Sequence, residues 1–178
     1  MTKLAKLIRI ALIVQAMAGG LLGFAVSIVA LLGPDTRGIL ASLLVMALAL
    51  AFALVFAAGL TFWLKPDELR PMLLASAVQV PWVSLPGIVY RFVACWYWSL
   101  SVVMSHADDK YSAGFKTKLD FGSFSEVSIL RDAPIEVGVN VIALAALLYL
   151  YRLNRAQHKA TALLSHESSH AHPEALET

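Results

Sequence analysis

The chain has 178 residues and a formal net charge of +2, with 59% hydrophobic and only 15% charged residues, against about 25% charged in ordinary soluble domains. Its apolar excess is gathered in unbroken runs of bilayer-spanning length, roughly 20 residues at 1.5 Å each, which argues against a purely soluble core. No basic run alternates with aromatics, which speaks against a nucleic-acid partner, and the single cysteine, Cys95, allows neither an internal disulfide nor a CxxC motif.

The first apolar run covers residues 10–33 and follows Lys3, Lys6 and Arg9. Ala16-Met17-Ala18 has the form of a signal-peptide cleavage site, but the apolar stretch continues past it, so the segment reads as a retained signal anchor. Ala16, Gly19, Gly20, Gly23 and Ser27 form a small-residue stripe within it. Such stripes let helix backbones approach in lipid; this one serves either packing within the chain or an interface with a partner or a second copy. The second run, 39–64, is uncharged and carries Trp63 near its end as a headgroup-level anchor. Lys65 to Pro71 then reverses the chain.

The third run, 71–104, is too long for one span and contains Pro81, Pro86 and Arg91. It is read as a kinked helix over 72–90, with the aromatic segment up to 104, including Trp96, Tyr97 and Trp98, at the far interface. The alternative starts the span near Trp82 and places Arg91 at mid-membrane. Residues 105–134 form a hydrophilic loop. Within it, 115–121 alternates, Gly122-Ser123 suits a two-residue turn, and 124–130 follows, which reads as a β-hairpin. The fourth span is 135–151, with Pro134 at its start. The fold expected is therefore an all-α membrane protein: a four-helix transmembrane bundle over 1–160 with a small extramembrane loop, followed by a flexible His-bearing tail, 161–178.

Lys3, Lys6, Arg9, Lys65, Arg70, Arg152, Arg155 and Lys159 fall on one side of that arrangement, which places both termini in the cytoplasm of a cell, taken as bacterial, by the positive-inside rule. Arg91 and Glu136 reach the same depth and pair, with Asn140 one helical turn from Glu136. This polar site reads either as a structural clamp or as the lining of a small-solute or ion transporter. Gln15 and Gln79 suit interhelical hydrogen bonds. His166 and His170 share a helix face near His158 and His172, a spacing able to hold a transition metal, but their Ser- and Ala-rich surroundings offer no ordering groups; no metal or cofactor is assigned. No GxSxG, HExxH or P-loop motif occurs, and His106-Ala107-Asp108-Asp109 reads as a solvated loop. The expected role is that of a non-enzymatic accessory or assembly subunit, or a homo-oligomer, in contact with the lipid bilayer and acting through helix packing and its external loop.

Overall fold

The computed structural model describes residues 3–33, 38–86, 88–107, 110–129 and 135–170. Two long helices open the chain, α1 (Lys3–Leu31) and α2 (Ile39–Leu64), followed by a short helix α3 (Arg70–Gln79). Six strands come next: β1 (Pro81–Leu85), β2 (Ile88–Val93), β3 (Trp96–Ala107), β4 (Lys110–Phe121), β5 (Phe124–Ile129) and β6 (Ile135–Asn140). A last helix, α4 (Val141–His170), completes the order.

The expected four-helix bundle is thus corrected to a mixed fold, which among the described residues has four helices and one antiparallel sheet, two of the helices, α1 and α2, being long and apolar enough to cross a membrane. The expected third span divides. Pro71 suits the first turn of α3, and Pro81, unable to continue a helical hydrogen-bond ladder, opens β1. Trp82, Val83, Val89, Tyr90, Phe92 and Val93 are β-branched or aromatic and fit a pleated surface better than a helix. The expected fourth span is likewise β6 up to Asn140 and helical only from Val141, and α4 then runs on through residues 161–170 of the expected tail.

α1 and α2 pack through the small-residue stripe. A Cβ on Gly20 would strike the backbone of Phe56, one on Gly23 the ring of Phe52, and one on Gly59 the side chain of Ala16. Ser27 donates to the Gly23 carbonyl at 2.8 Å, within the same helix. Outside this seam the helices expose Leu7, Val14, Leu21, Val29, Leu40, Leu43, Leu50 and Leu54, a surface suited to lipid rather than water.

The sheet has the order β4-β3-β6-β1-β2-β5. The segment 115–121 and the residues after Gly122-Ser123 are strands, but the expected hairpin between them does not form: β4 pairs with β3 and β5 with β2. β4 and β5 are the two sheet edges, about 24 Å apart in a flat six-stranded sheet, yet only two residues, Gly122 and Ser123, separate Phe121 from Phe124, a reach of about 11 Å over three Cα steps. The sheet therefore curls until its edges approach at that end.

The pairing register places side chains on two unlike faces. The concave face carries Trp82, Ser84, Arg91, Tyr97, Ser99, Ser101, Lys116, Lys118, Asp120, Glu126 and Glu136. The convex face carries Val83, Trp96, Trp98, Leu100, Val102, Met104, Phe115, Leu119, Phe121 and Val137. Burial runs opposite to that of a soluble sheet. Ser84, Ser99 and Ser101 are only 1–2% exposed, while Phe115, Leu119 and Phe121 are 88%, 73% and 65% exposed.

Candidate functional site

The concave face is centred on Glu136, which is 3% exposed. In the register it lies opposite Ser84 on one side and Val103 on the other. Its Oε1 accepts from Trp82 Nε1 at 3.0 Å and from Ser101 Oγ at 2.7 Å, and its Oε2 accepts from Arg91 Nη2 at 2.9 Å. A carboxylate taken out of water needs such partners, since desolvation opposes its charge by several kcal/mol. Arg91 reaches across β1 to Glu136 and uses Nη1 to bind Glu126 Oε2, directly opposite on β5, at 2.9 Å. Its guanidinium also lies over the Trp82 ring, 5.1 Å from the centroid, where a cation meets the negative face of the π system.

Trp82 in turn stacks on Tyr97, with centroids 5.5 Å apart, and these two form a small core with Val93. Gly138 stands between Trp82 and Ser101 in the ladder, and a Cβ there would meet Ser101. At the open rim of the hollow, Lys118 pairs with Asp120 at 3.0 Å, and Lys116 lies 3.9 Å from Glu136. Among the described side chains of this face, the three cations and three carboxylates balance.

The two charges singled out from the sequence, Arg91 and Glu136, thus meet, but on strands that flank β1 rather than on adjoining helices. Asn140 lies four residues along β6, at its last position, fully buried. Its Oδ1 accepts from Ala143 N at 3.4 Å, the first-turn N–H of α4, and from Trp98 N at 3.4 Å. It acts as an N-cap, which accounts for an asparagine where strand becomes helix. Arg91 Nε and Asn140 Nδ2 are buried without a hydrogen-bond partner among the described residues.

Sequence reasoning missed the second joint, where the helices grip the sheet. Gln79 Oε1 accepts from Ala94 N at 3.0 Å while its Nε2 donates to Ala75 O at 2.9 Å. Ser123 Oγ donates to Gly19 O at 2.8 Å and accepts from Cys95 N at 3.2 Å. A Cβ on Gly19 would strike the backbone at Ala94 and Cys95, and Phe52 packs on Phe92 with centroids 4.5 Å apart. The stripe of small residues is therefore spent on the chain's own α2 and on the β2–β3 turn.

No known family, curated protein or solved structure matches this chain. Among the described residues no group of His, Cys, Asp and Glu is arranged to hold a metal ion. The expectations resting on Asp108, Asp109, Pro134 and His172, and on the side chains of His106, His166 and His170, lie outside the described residues.

Proposed function

We propose that this chain is a non-enzymatic membrane subunit, anchored in a cell membrane by α1 and α2, that assembles with another polypeptide along the edge of its sheet. The observation that carries this reading is β4. Among the described residues it is a twelve-residue strand at the end of the sheet order, paired along its length with β3, with every residue from Ser112 to Phe121 exposed. A long, exposed edge is a template for a further strand. Within or beside a bilayer, where water cannot satisfy N–H and C=O groups, the need for a partner strand is stronger.

The charge distribution supports the anchoring. Arg9 Nη2 donates to the Phe62 carbonyl at 3.3 Å, which joins the start of α1 to the end of α2. Asp67 to Arg70 face Asn154, Gln157 and His158 of α4 across a cavity of about 610 Å³. Lys3, Lys6, Arg9, Lys65, Arg70, Arg152, Arg155 and Lys159 consequently gather at one end of the molecule, the end that faces the cytoplasm by the positive-inside rule. The sheet lies toward the other end. The balanced charges of the concave hollow favour a clamp over a transport site.

A photoreactive benzoylphenylalanine in place of Phe115, introduced in the native membrane, tests this. The expected product is a cross-link to a second membrane polypeptide or to a second copy of the chain. A chain that yields no cross-linked protein and purifies as a lone monomer overturns the proposal.

A further inference from the structure

We infer that the convex face of the sheet lies in the acyl chains of the outer leaflet while the rim of its concave face, at Lys118 and Asp120, stays hydrated, so that the sheet is an amphipathic wall sunk halfway into the membrane. This rests on the reading of α1 and α2 as membrane spans. The argument is one of depth. Gly19 lies about 14 Å beyond Ile10 at helical rise, close to the middle of a hydrocarbon core about 30 Å thick. Three independent contacts tie the sheet to that level: Ala94 and Cys95 against Gly19, Ser123 on the Gly19 carbonyl, and Phe92 on Phe52.

The strands run from this level toward the C-terminal end of α1. Ser123 shares a cavity with Gly23, Val26, Ser27 and Ala30, on the outward half of α1. α4 departs the opposite way, with Ala143 and Ala146 beside Leu12, Gln15 and Ala16. At about 3.3 Å per residue, the first four or five residues of β3 and the last of β4 then stand within the outer half of the hydrocarbon. Their convex side chains are Trp96, Trp98, Leu100, Leu119 and Phe121, all large, apolar and exposed. Their concave neighbours are Tyr97, Ser99, Lys118 and Asp120.

That alternation, apolar outward and polar inward with period two, is what a strand between lipid and water requires. The Lys118–Asp120 pair is about half exposed, 53% and 49% by side chain. Charged groups at membrane depth persist where they pair and reach water; this pair forms at 3.0 Å and stands half exposed at the rim of the hollow.

The test is a nitroxide scan of the full chain in phosphatidylcholine–phosphatidylglycerol vesicles, with Cys95→Gly as background. Single variants are Phe115→Cys, Lys118→Cys, Leu119→Cys and Phe121→Cys, with Leu50→Cys on the exposed face of α2 as the reference. Oxygen, which concentrates in lipid, and a water-soluble nickel chelate serve as relaxation probes. The expected pattern is oxygen-dominated relaxation at Leu119→Cys and Phe121→Cys, as at Leu50→Cys, and nickel-dominated relaxation at Lys118→Cys. Depth should fall in the order Phe121, Leu119, Phe115.

Nickel access at both Leu119→Cys and Phe121→Cys, with Leu50→Cys still in lipid, overturns the immersion of the sheet and leaves the spans standing. Protection from both probes at Leu119→Cys shows protein on the convex face and overturns it equally. Nickel access at Leu50→Cys removes the membrane spans themselves.

Discussion

Two residues carry more than their share of this fold. Glu136 holds Arg91, Trp82 and Ser101 at once, so Glu136→Ala removes an acceptor from all three. Removing one member of a buried pair costs about 3–5 kcal/mol, and because Glu126 still binds Arg91 the lower end, about 3 kcal/mol, is expected. Glu126→Ala, which removes a partly exposed carboxylate, should cost about 1 kcal/mol or less. Denaturant titration in detergent micelles compares the two, and equal losses would mean that Glu136 is not the centre of the cluster. Cys95 is buried and has φ 78°, the one positive value at a described non-glycine residue. A left-handed residue with a Cβ is strained by roughly 1–2 kcal/mol. Cys95→Gly removes that strain while giving up a small buried side chain, and should fall near wild-type stability. Cys95→Val, β-branched and in the same conformation, should lie at least about 1 kcal/mol below it. The meeting of Arg91 and Glu136 was legible because each is a lone charge among apolar neighbours and needs a counter-ion. The route by which they meet was not, because it depends on strand register.

At the scale of elements, α2 was legible to the residue and the C-terminal end of α1 to within two, because both apolar runs have no competing period and Gly33-Pro34 and Lys65-Pro66 close them; the start of α1 was not, since its helix begins at Lys3, seven residues before the apolar run. The stripe Ala16, Gly19, Gly20, Gly23 and Ser27 announced a close approach, and its cost can be measured. Gly20→Ala drives a Cβ into the Phe56 backbone, which cannot move aside as a side chain tip could. The expected loss is about 1–3 kcal/mol, read as a lower midpoint of thermal unfolding in detergent, whereas Gly114→Ala on β4, with open space around it, should change little. The strands were hidden by their own composition. Over 71–104 the convex face is apolar throughout and the concave face contributes Trp82, Val89, Val93 and Tyr97, so the run passes for a membrane helix by hydropathy alone. The alternation survives only where serines mark the inner face, at Ser99 and Ser101, between Trp98, Leu100 and Val102. Two prolines spaced five residues apart and the density of β-branched and aromatic residues were the further signal for strand. For 115–121 and the residues after Ser123 the period of two was readable. Their pairing was not, since a two-residue turn ordinarily joins neighbours and here joins opposite edges of a curled sheet.

The molecule as a whole is divided by polarity rather than into a core and a surface. Basic side chains gather where α1 begins, where α2 ends and midway along α4; apolar side chains face outward along α1, α2 and the convex sheet; polar side chains are enclosed in the hollow. Each of these would be unfavourable in water and each is favourable when the long axis of α1 lies across a bilayer. On the proposed membrane reading, the positive-inside rule gives the direction of insertion as well. Leu32 follows the end of α1 and is 83% exposed, whereas Lys65 follows the end of α2, beside Arg9 through Phe62. In intact cells, a membrane-impermeant maleimide should label Leu32→Cys from outside and leave Lys65→Cys unlabelled until the membrane is opened. The buried Cys95 gives little background in either case, and a Cys95→Gly background removes it. Labelling of Lys65→Cys alone would turn the molecule over and place the sheet on the cytoplasmic side. Labelling of both without permeabilisation would mean that the helical pair does not cross the bilayer, because an uncharged α2 of 26 residues is about 39 Å long and cannot leave both its ends on one face of the membrane while inserted.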